Sequence, residues 1–226
     1  MTYAPERPAD PRWRRLPEER PRQILAAAMA IFAEHGIAAA KLEDIAARAG
    51  VSKGTIYLYF QSKEELFREV VRQTVVPLIA QADEIPSDGP ASGQLTRYLA
   101  HQWDCLSMEG ADGWVRLVLL ELHRFPDLAA FYRAEVIERS HRVLGDILRR
   151  GVMTGEFRAF DPPAACAIVK AIILMHVLYG DARSSGPVLH AKPRAQVLEE
   201  ITDFVLHALR ASDRDPPAPE SGVSPA

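Results

Sequence analysis

The sequence predicts an all-α protein: a three-helix helix-turn-helix unit followed by a larger helical region. Three observations carry that expectation. Apolar residues recur at helical spacing along most of the chain, no stretch alternates at period two for long enough to make a strand, and glycines and prolines fall between the periodic segments. The 226 residues are 48% hydrophobic and 25% charged, enough to build a core. That composition excludes collagen-like, low-complexity and disordered classes, and the length allows one or two domains.

The elements follow in order. Residues 1–19 are rich in Pro and Arg, and residues 212–226 read SDRDPPAPESGVSPA; both are expected to be flexible ends. Pro21 suits the first turn of a helix that carries Ile24, Leu25, Ala28, Ile31 and Phe32 on one stripe until Gly36 stops it. A second helix, Leu42 to Ala49, repeats the pattern with Leu42, Ile45, Ala46 and Ala49 and ends at Gly50. Ser52 can cap a short third helix running to about Tyr59. Ser62-Lys-Glu-Glu65 is a capping box opening a fourth, which carries Leu66, Phe67, Val70 and Val71 until Pro77 kinks or ends it.

IPSDGPASG, residues 85–93, reads as a linker. Beyond it the spacing predicts helices near 94–109, 112–124, 127–150, 162–179 and 193–210. Gly110, Pro126, Gly151, Asp161-Pro-Pro163 and Gly186-Pro187 supply the punctuation. The nearly apolar run from Ala164 to Tyr179 is interrupted by Lys170 and His176 and is shorter than the roughly 20 residues of a membrane span, so a buried helix is expected there. No apolar stretch precedes Ile24, so no secretory signal is read and a cytoplasmic location is expected. Cys105 and Cys166 are too far apart for a redox or zinc motif and are expected to be reduced core thiols.

The net charge of −3 conceals an asymmetry. Residues 11–63 hold nine basic side chains against five acidic ones, a surplus of four, which leaves a deficit of seven elsewhere. The front of the chain suits a polyanion, although solvated helix faces can also give such an imbalance.

The second and third helices are each about two turns long and must pack on each other and on the first. Ala46 is small where they would cross, Gly50 can take the positive φ of a tight turn, and Ile56 lies on the inner side of the third helix. This spacing is a helix-turn-helix signature that an ordinary helical hairpin can share. At roughly 100° per residue from Ile56, Phe60 and Ser52 lie within about 40° of the buried direction. Gly54, Thr55, Tyr57 and Leu58 lie about 100° or more away from it. A solvated face would carry Lys, Glu and Gln. The major groove of DNA suits these four: Gly54 permits close approach, Thr55 can bond a base edge, Leu58 can make apolar contact and Tyr57 can donate to a phosphate. Lys53 and Lys63 can hold phosphates by charge. The other reading is that Tyr57, Leu58 and Tyr59 pack against the same chain.

From Arg22 to Val71 the sequence resembles the amino-terminal domain of the TetR/AcrR transcriptional regulators. The resemblance is densest in DIAARAGVSKGTIYLYF, residues 44–60, and in SKEELF, residues 62–67. It implies an all-helical homodimer, usually a repressor, whose carboxy-terminal domain binds a small molecule that releases a palindromic operator. Lys53, Thr55, Tyr57 and Tyr59 then fall on recognition-helix positions and Lys63 on a phosphate-binding lysine. Members usually carry Thr or Ser at the start of the second helix, where this chain has Ala40-Lys41-Leu42. The cap is weakened by about 1 kcal/mol, while Lys41 can reach a phosphate. Glu43 lies where some members touch a base; an acid there accepts only from a cytosine amino group, or simply favours the helix terminus.

The domain division expected is a flexible arm 1–19, a DNA-binding domain 20–66, an effector-binding and dimerisation domain 67–211 and a tail 212–226. By resemblance the dimer is a four-helix bundle of the last two long helices, with Ile168, Ile172, Met175 and Leu178 on one and Val197, Ile201, Phe204 and Val205 on the other. Burial in the chain's own core is the alternative. The effector pocket is expected between the fourth and eighth helices, with Trp103, Met108, Trp114, His123, Phe125 and Tyr132 as candidates, each of which also suits plain packing. Arg12-Trp-Arg-Arg15 suits a minor-groove arm or a solvated tail. His101 and Cys105 have the spacing of two metal ligands but no evident third, so no metal or cofactor is expected. The partners expected are double-stranded operator DNA, a second copy and a small, largely apolar effector, with no membrane. No nucleophile elbow, P-loop or dinucleotide fingerprint is present, so no enzyme is expected. An unrecognised enzyme and a helical adaptor that binds protein through its helix-turn-helix are the rival readings.

Overall fold

The computed structural model describes residues 19–179 and 192–211. The expected arm at 1–19, except its last residue, the tail 212–226, Arg12-Trp-Arg-Arg15 and the Gly186-Pro187 break lie outside the described residues. Helix α1 (Glu19–Ala39) is interrupted at Gly36, which takes φ +75°. That positive φ favours glycine, and a Cβ there would also push aside the carboxylate of Glu121. Helix α2 (Leu42–Ala49) has Lys41 at its N-cap with no side-chain cap bond, and closes at Gly50 with φ 65° and ψ 35°.

Ser52 Oγ accepts from the Thr55 N–H at 3.1 Å and opens helix α3 (Lys53–Tyr59). Ser62 Oγ accepts from the Glu65 N–H at 3.0 Å and opens α4 (Lys63–Val70). The Glu65 carboxylate answers by accepting from the Gln61 N–H at 2.6 Å, one residue earlier than the usual capping box. The kink expected at Pro77 is a π turn, Val71–Val75, placed just ahead of it and leading into α5 (Val76–Ala80).

After a 3-10 turn, Gln81–Glu84, come α6 (Ala91–Cys105), α7 (Ala111–Leu120), α8 (Pro126–Tyr132), α9 (Glu138–Met153), α10 (Pro162–Tyr179) and α11 (Arg194–Leu209). Three of these differ from expectation. Helix α6 starts at Ala91 and not near 94, because the Glu156 carboxylate accepts from the N–H groups of Ala91 and Ser92 at 2.7 and 3.1 Å. That cap comes from far along the chain and is invisible to local pattern. The segment near 112–124 divides into α7 and a 3-10 turn, Leu122–Arg124. The long helix expected at 127–150 runs to Met153 and contains a second π turn, Arg133–Ile137, between α8 and α9.

Two large cores and a small third cluster of Val115, Val177 and Leu178 organise the described residues. In the first, Ile24, Phe32, Ile45, Ile56, Leu66 and Phe67 are fully buried, and Trp114 of α7 stacks on Phe67 with ring centroids 5.3 Å apart. This core runs without a break across residues 66 and 67, where a domain boundary was expected, because α7 and α8 complete it. The second core joins α6, α9, α10 and α11 through Leu95, Leu99, Leu144, Leu148, Val169 and Ile201. Helix α10, expected to be buried, is covered on one side only. It turns Ala165, Cys166, Val169, Ile173 and Val177 inward and leaves Ile168 and Met175 exposed. A uniform apolar run does not reveal which of its sides is covered.

Candidate nucleic-acid interface

The interface begins with the crossing of α2 and α3. Ala46 and Ile56 are both buried at this crossing, and the left-handed turn at Gly50 closes α2 and leads into α3, which packs on it. Helical spacing then forces the opposite side of α3 outward. Tyr57 is 50% exposed, Leu58 82% and Tyr59 40%, so these residues do not pack beneath the rest of the described chain. Phe60 is buried as expected, but Ser52 is exposed. It is the N-cap, with extended backbone, so the angular arithmetic of a helix does not apply to it.

Gly54 is exposed, and a Cβ there would meet only Ser52 Oγ, at 3.7 Å. Among the described residues nothing excludes an alanine, although glycine costs a helix roughly 0.5–1 kcal/mol. Thr55 is half-buried, with Oγ1 2.9 Å from Ser52 Oγ. Lys53 Nζ donates to Glu43 Oε1 at 2.6 Å across the two helices and lies 5.9 Å from the Tyr57 ring centroid. The hydrogen bond raises the pKa of the Lys53 ammonium and lowers that of the Glu43 carboxyl. Both residues are therefore charged at neutral pH, and Glu43 restrains the cation nearest the start of α3.

Lys41 is exposed at the start of α2. Lys63 is half-buried, and its ammonium donates to the carbonyls of Ala38 and Ala40 at 3.2 and 3.1 Å, tying the end of α1 to α4. A phosphate contact would have to share it. Arg48, counted above only as charge, donates to both carboxylate oxygens of Glu34 at 2.6 and 2.8 Å and pins α2 to α1.

Behind this unit lies an apolar cavity of about 400 Å³. Both π turns contribute to its wall, Val75 from one and Val136 and Ile137 from the other, where the extra residue widens the helix. Trp114 and Tyr132 line it, and the Trp114 indole N–H donates to the Tyr132 hydroxyl at 3.4 Å. The other four aromatic or soft candidates do not. Trp103 is buried in the second core with the Arg194 guanidinium 5.0 Å from its ring centroid, Met108 and His123 are exposed, and Phe125 packs on the first core. Tyr98, Ser140 and Lys170 also line the cavity and were not anticipated; the signal was the lysine inside an apolar run.

His101 Nε2 lies 2.9 Å from the Leu78 carbonyl and 3.6 Å from Cys105 Sγ. Among the described residues no group of three His, Cys, Asp or Glu could hold a metal ion. Of the candidate dimer residues, Leu178, Val197, Ile201 and Val205 turn into the protomer's own core and Ile172 is half-buried. Ile168 and Phe204, 61% and 64% exposed, and Met175 point outward.

Two short helices crossed at a left-handed glycine, with the second presenting a glycine, a phenol and an aliphatic group to the outside, define a helix-turn-helix DNA-binding regulator. Comparison with known proteins narrows the class. Residues 24–70 match the family model described as bacterial regulatory proteins, tetR family, and residues 85–192 match the tetracyclin repressor-like C-terminal domain. The chain is 30% identical over 157 residues to the HTH-type transcriptional repressor KstR2 of Mycolicibacterium smegmatis, covering 69% of this chain and 73% of that one. It is 28% identical over 144 residues to the fatty acid metabolism regulator protein of Bacillus subtilis, covering 62% and 73%. The structure of FadR from Bacillus subtilis in complex with stearoyl-CoA has the same fold, with a TM-score of 0.69, 22% identity and coverage of 84% and 99%. The chain belongs to the TetR family of bacterial transcriptional regulators.

Proposed function

We propose that the protein is a homodimeric repressor that binds a palindromic operator through α3 and leaves it when a small, largely apolar molecule fills the cavity behind Trp114. The outward face of α3 carries the reading: Leu58 is the most exposed large apolar residue of the helix-turn-helix unit, beside a glycine that no contact among the described residues requires. Thr55, Leu58 and Gly54 meet base edges, with Tyr57 and Tyr59 beside them at the groove. Lys41, Lys53 and Lys63 meet phosphates, and Glu43 and Ser52 orient the start of α3. Residues 20–66 act as the reading unit and residues 67–211 receive the effector and pair the protomers.

Ile168, Met175 and Phe204 supply the outward apolar surface for pairing, and two recognition helices related by a two-fold axis meet successive major grooves roughly 34–36 Å apart. The protein works by binding and not by catalysis, and acts in the cytoplasm, where its operator lies. The relatives' names include a regulator of fatty acid metabolism and a regulator bound to stearoyl-CoA, which supports an effector with a long apolar part.

Selection of bound sequences from random DNA tests the first half. Recovery of an inverted repeat whose affinity falls steeply with salt is the expected result. Tyr57→Ala and Lys63→Ala should weaken binding to all sequences, and Thr55→Ala should chiefly relax base choice. Equal operator binding by all three variants and the parent defeats the reading. A protein-binding adaptor would select no sequence.

A further inference from the structure

We propose that the effector is an apolar carboxylic acid whose carboxylate is held by Lys170 together with Ser140. The inference rests on the cavity being the effector site and adds the chemistry of the head group. Lys170 enters the cavity wall from α10, in the middle of an apolar run, and its ammonium donates to Ser140 Oγ. Ser140 is buried, and its hydroxyl lies 3.4 Å from the Tyr98 hydroxyl, itself buried. Three polar groups thus converge in a cavity whose wall is otherwise mainly Val, Leu, Ile and aromatic side chains.

A cation in such surroundings is costly unless an anion or several acceptors compensate it. Among the described residues none does. No carboxylate pairs with Lys170, and the other titratable groups that line the cavity are the phenols of Tyr98 and Tyr132, the thiol of Cys105 and the imidazole of His141. Tyr98 from α6 and Tyr132 from α8 are pushed up to about 12 by burial. The thiols of Cys105 and Cys166 are also raised by burial. His141 from α9 is lowered by burial and by Lys170 itself. Burial correspondingly lowers Lys170, to about 8, which leaves most of it charged at neutral pH and in want of a counter-ion.

One cation and one adjacent hydroxyl match the single charge and two oxygens of a carboxylate. A phosphate dianion would ask for more donors, and an uncharged ligand would leave the ammonium uncompensated. The apolar remainder of the cavity takes the body of the acid.

The test uses the full chain and three probes with the same hydrocarbon chain: dodecanoate, 1-dodecanol and dodecylamine, each below its micellar concentration. Direct binding is followed by calorimetry, and release from a selected operator is measured separately. Dodecanoate should bind most tightly and dodecylamine least. Lys170→Met should weaken dodecanoate by about tenfold to a hundredfold, the range for a hydrogen-bonded charge, and dodecanol by less than about threefold. Lys170→Arg, which keeps the cation, should preserve the order of the three, and melting curves of both variants show that each is folded.

Dodecanol binding as tightly as dodecanoate, an unchanged preference in Lys170→Met, or no binding by any probe overturns the carboxylate assignment. The two readings fail separately. If dodecanol releases the operator as well as dodecanoate does, effector control stands and the carboxylate assignment falls. If dodecanoate binds through Lys170 without releasing DNA, the carboxylate assignment stands and effector control falls.

Discussion

Gly113 of α7 lies against the backbone of Ala33 in α1: a Cβ built on Gly113 would stand 2.4 Å from the Ala33 carbonyl oxygen. Helix α7 lines the cavity through Trp114, Val115 and Val118, while α1 carries the core on which α2 and α3 rest. A ligand that displaces α7 therefore displaces α1, since close-packed backbones have no slack to absorb the movement.

Gly113→Ala should force the two helices apart at a cost of about 1–3 kcal/mol, the usual range for overpacking. The melting temperature should fall by roughly 2–4 °C per kcal/mol for a chain of this size. Operator affinity should change with it, because α2, on which α3 packs, rests on α1. Gly93→Ala is the control. That glycine sits in α6 with only a flexible Arg97 atom 3.9 Å from the new Cβ, and its substitution should leave melting and operator binding unchanged or slightly improved.

The Lys53–Glu43 pair at 2.6 Å ties up the cation nearest the start of α3. Glu43→Gln should release it and also remove an anion from the approaching surface. Affinity for unrelated DNA should rise, and the slope of log affinity against log salt should steepen by about one unit. Melting should not move, because the pair lies on the solvent-exposed surface. A slope equal to the parent's would mean that Lys53 stays off the phosphates in the complex.

Alkaline titration separates the cavity groups by sign. Lys170 binds its proton less tightly folded, about 8, than its ordinary 10.5, so its contribution to stability grows as pH rises between those values. Tyr98 and Tyr132 do the reverse. Their phenols are held to about 12 against an ordinary 10.0, so stability present below pH 10 is lost as pH climbs towards 12. Urea midpoints measured across this range should rise and then fall. Lys170→Met should flatten the rise, and Tyr132→Phe should soften the fall.

How far the sequence foretold this arrangement depended on whether the determining contact was local. The caps at Ser52 and Ser62, the stop at Gly36 and the limits of α2 are set within four residues, and all were readable. The start of α6 was not, because its cap is the Glu156 carboxylate. The outward face of α3 was legible from the anomaly of apolar residues where polar ones belong. In the cavity Trp114 and Tyr132 were named and Tyr98, Ser140 and Lys170 were not. Aromatic character does not tell a cavity wall from a packed core, and two π turns shift the helical register on which facing arguments depend.

Gly54 separates stability from recognition most cleanly. It lies inside a seven-residue helix at an ordinary helical position, and the space around its missing Cβ is open apart from Ser52 Oγ. Alanine there should stabilise the fold by up to about 1 kcal/mol, since it lowers the entropy of the unfolded chain and favours the helix. If the glycine exists to let α3 sit deep in the groove, the same methyl group meets a base edge or sugar. Gly54→Ala should then melt higher than the parent and bind operator less well, with the loss concentrated in specific over non-specific DNA. Leu58→Ala should lose operator affinity with melting unchanged, because its side chain is solvated in the free protein. A Gly54→Ala protein that gains stability and keeps full operator affinity would remove Gly54 from the contact with the groove, because no contact among the described residues gives that glycine a purpose.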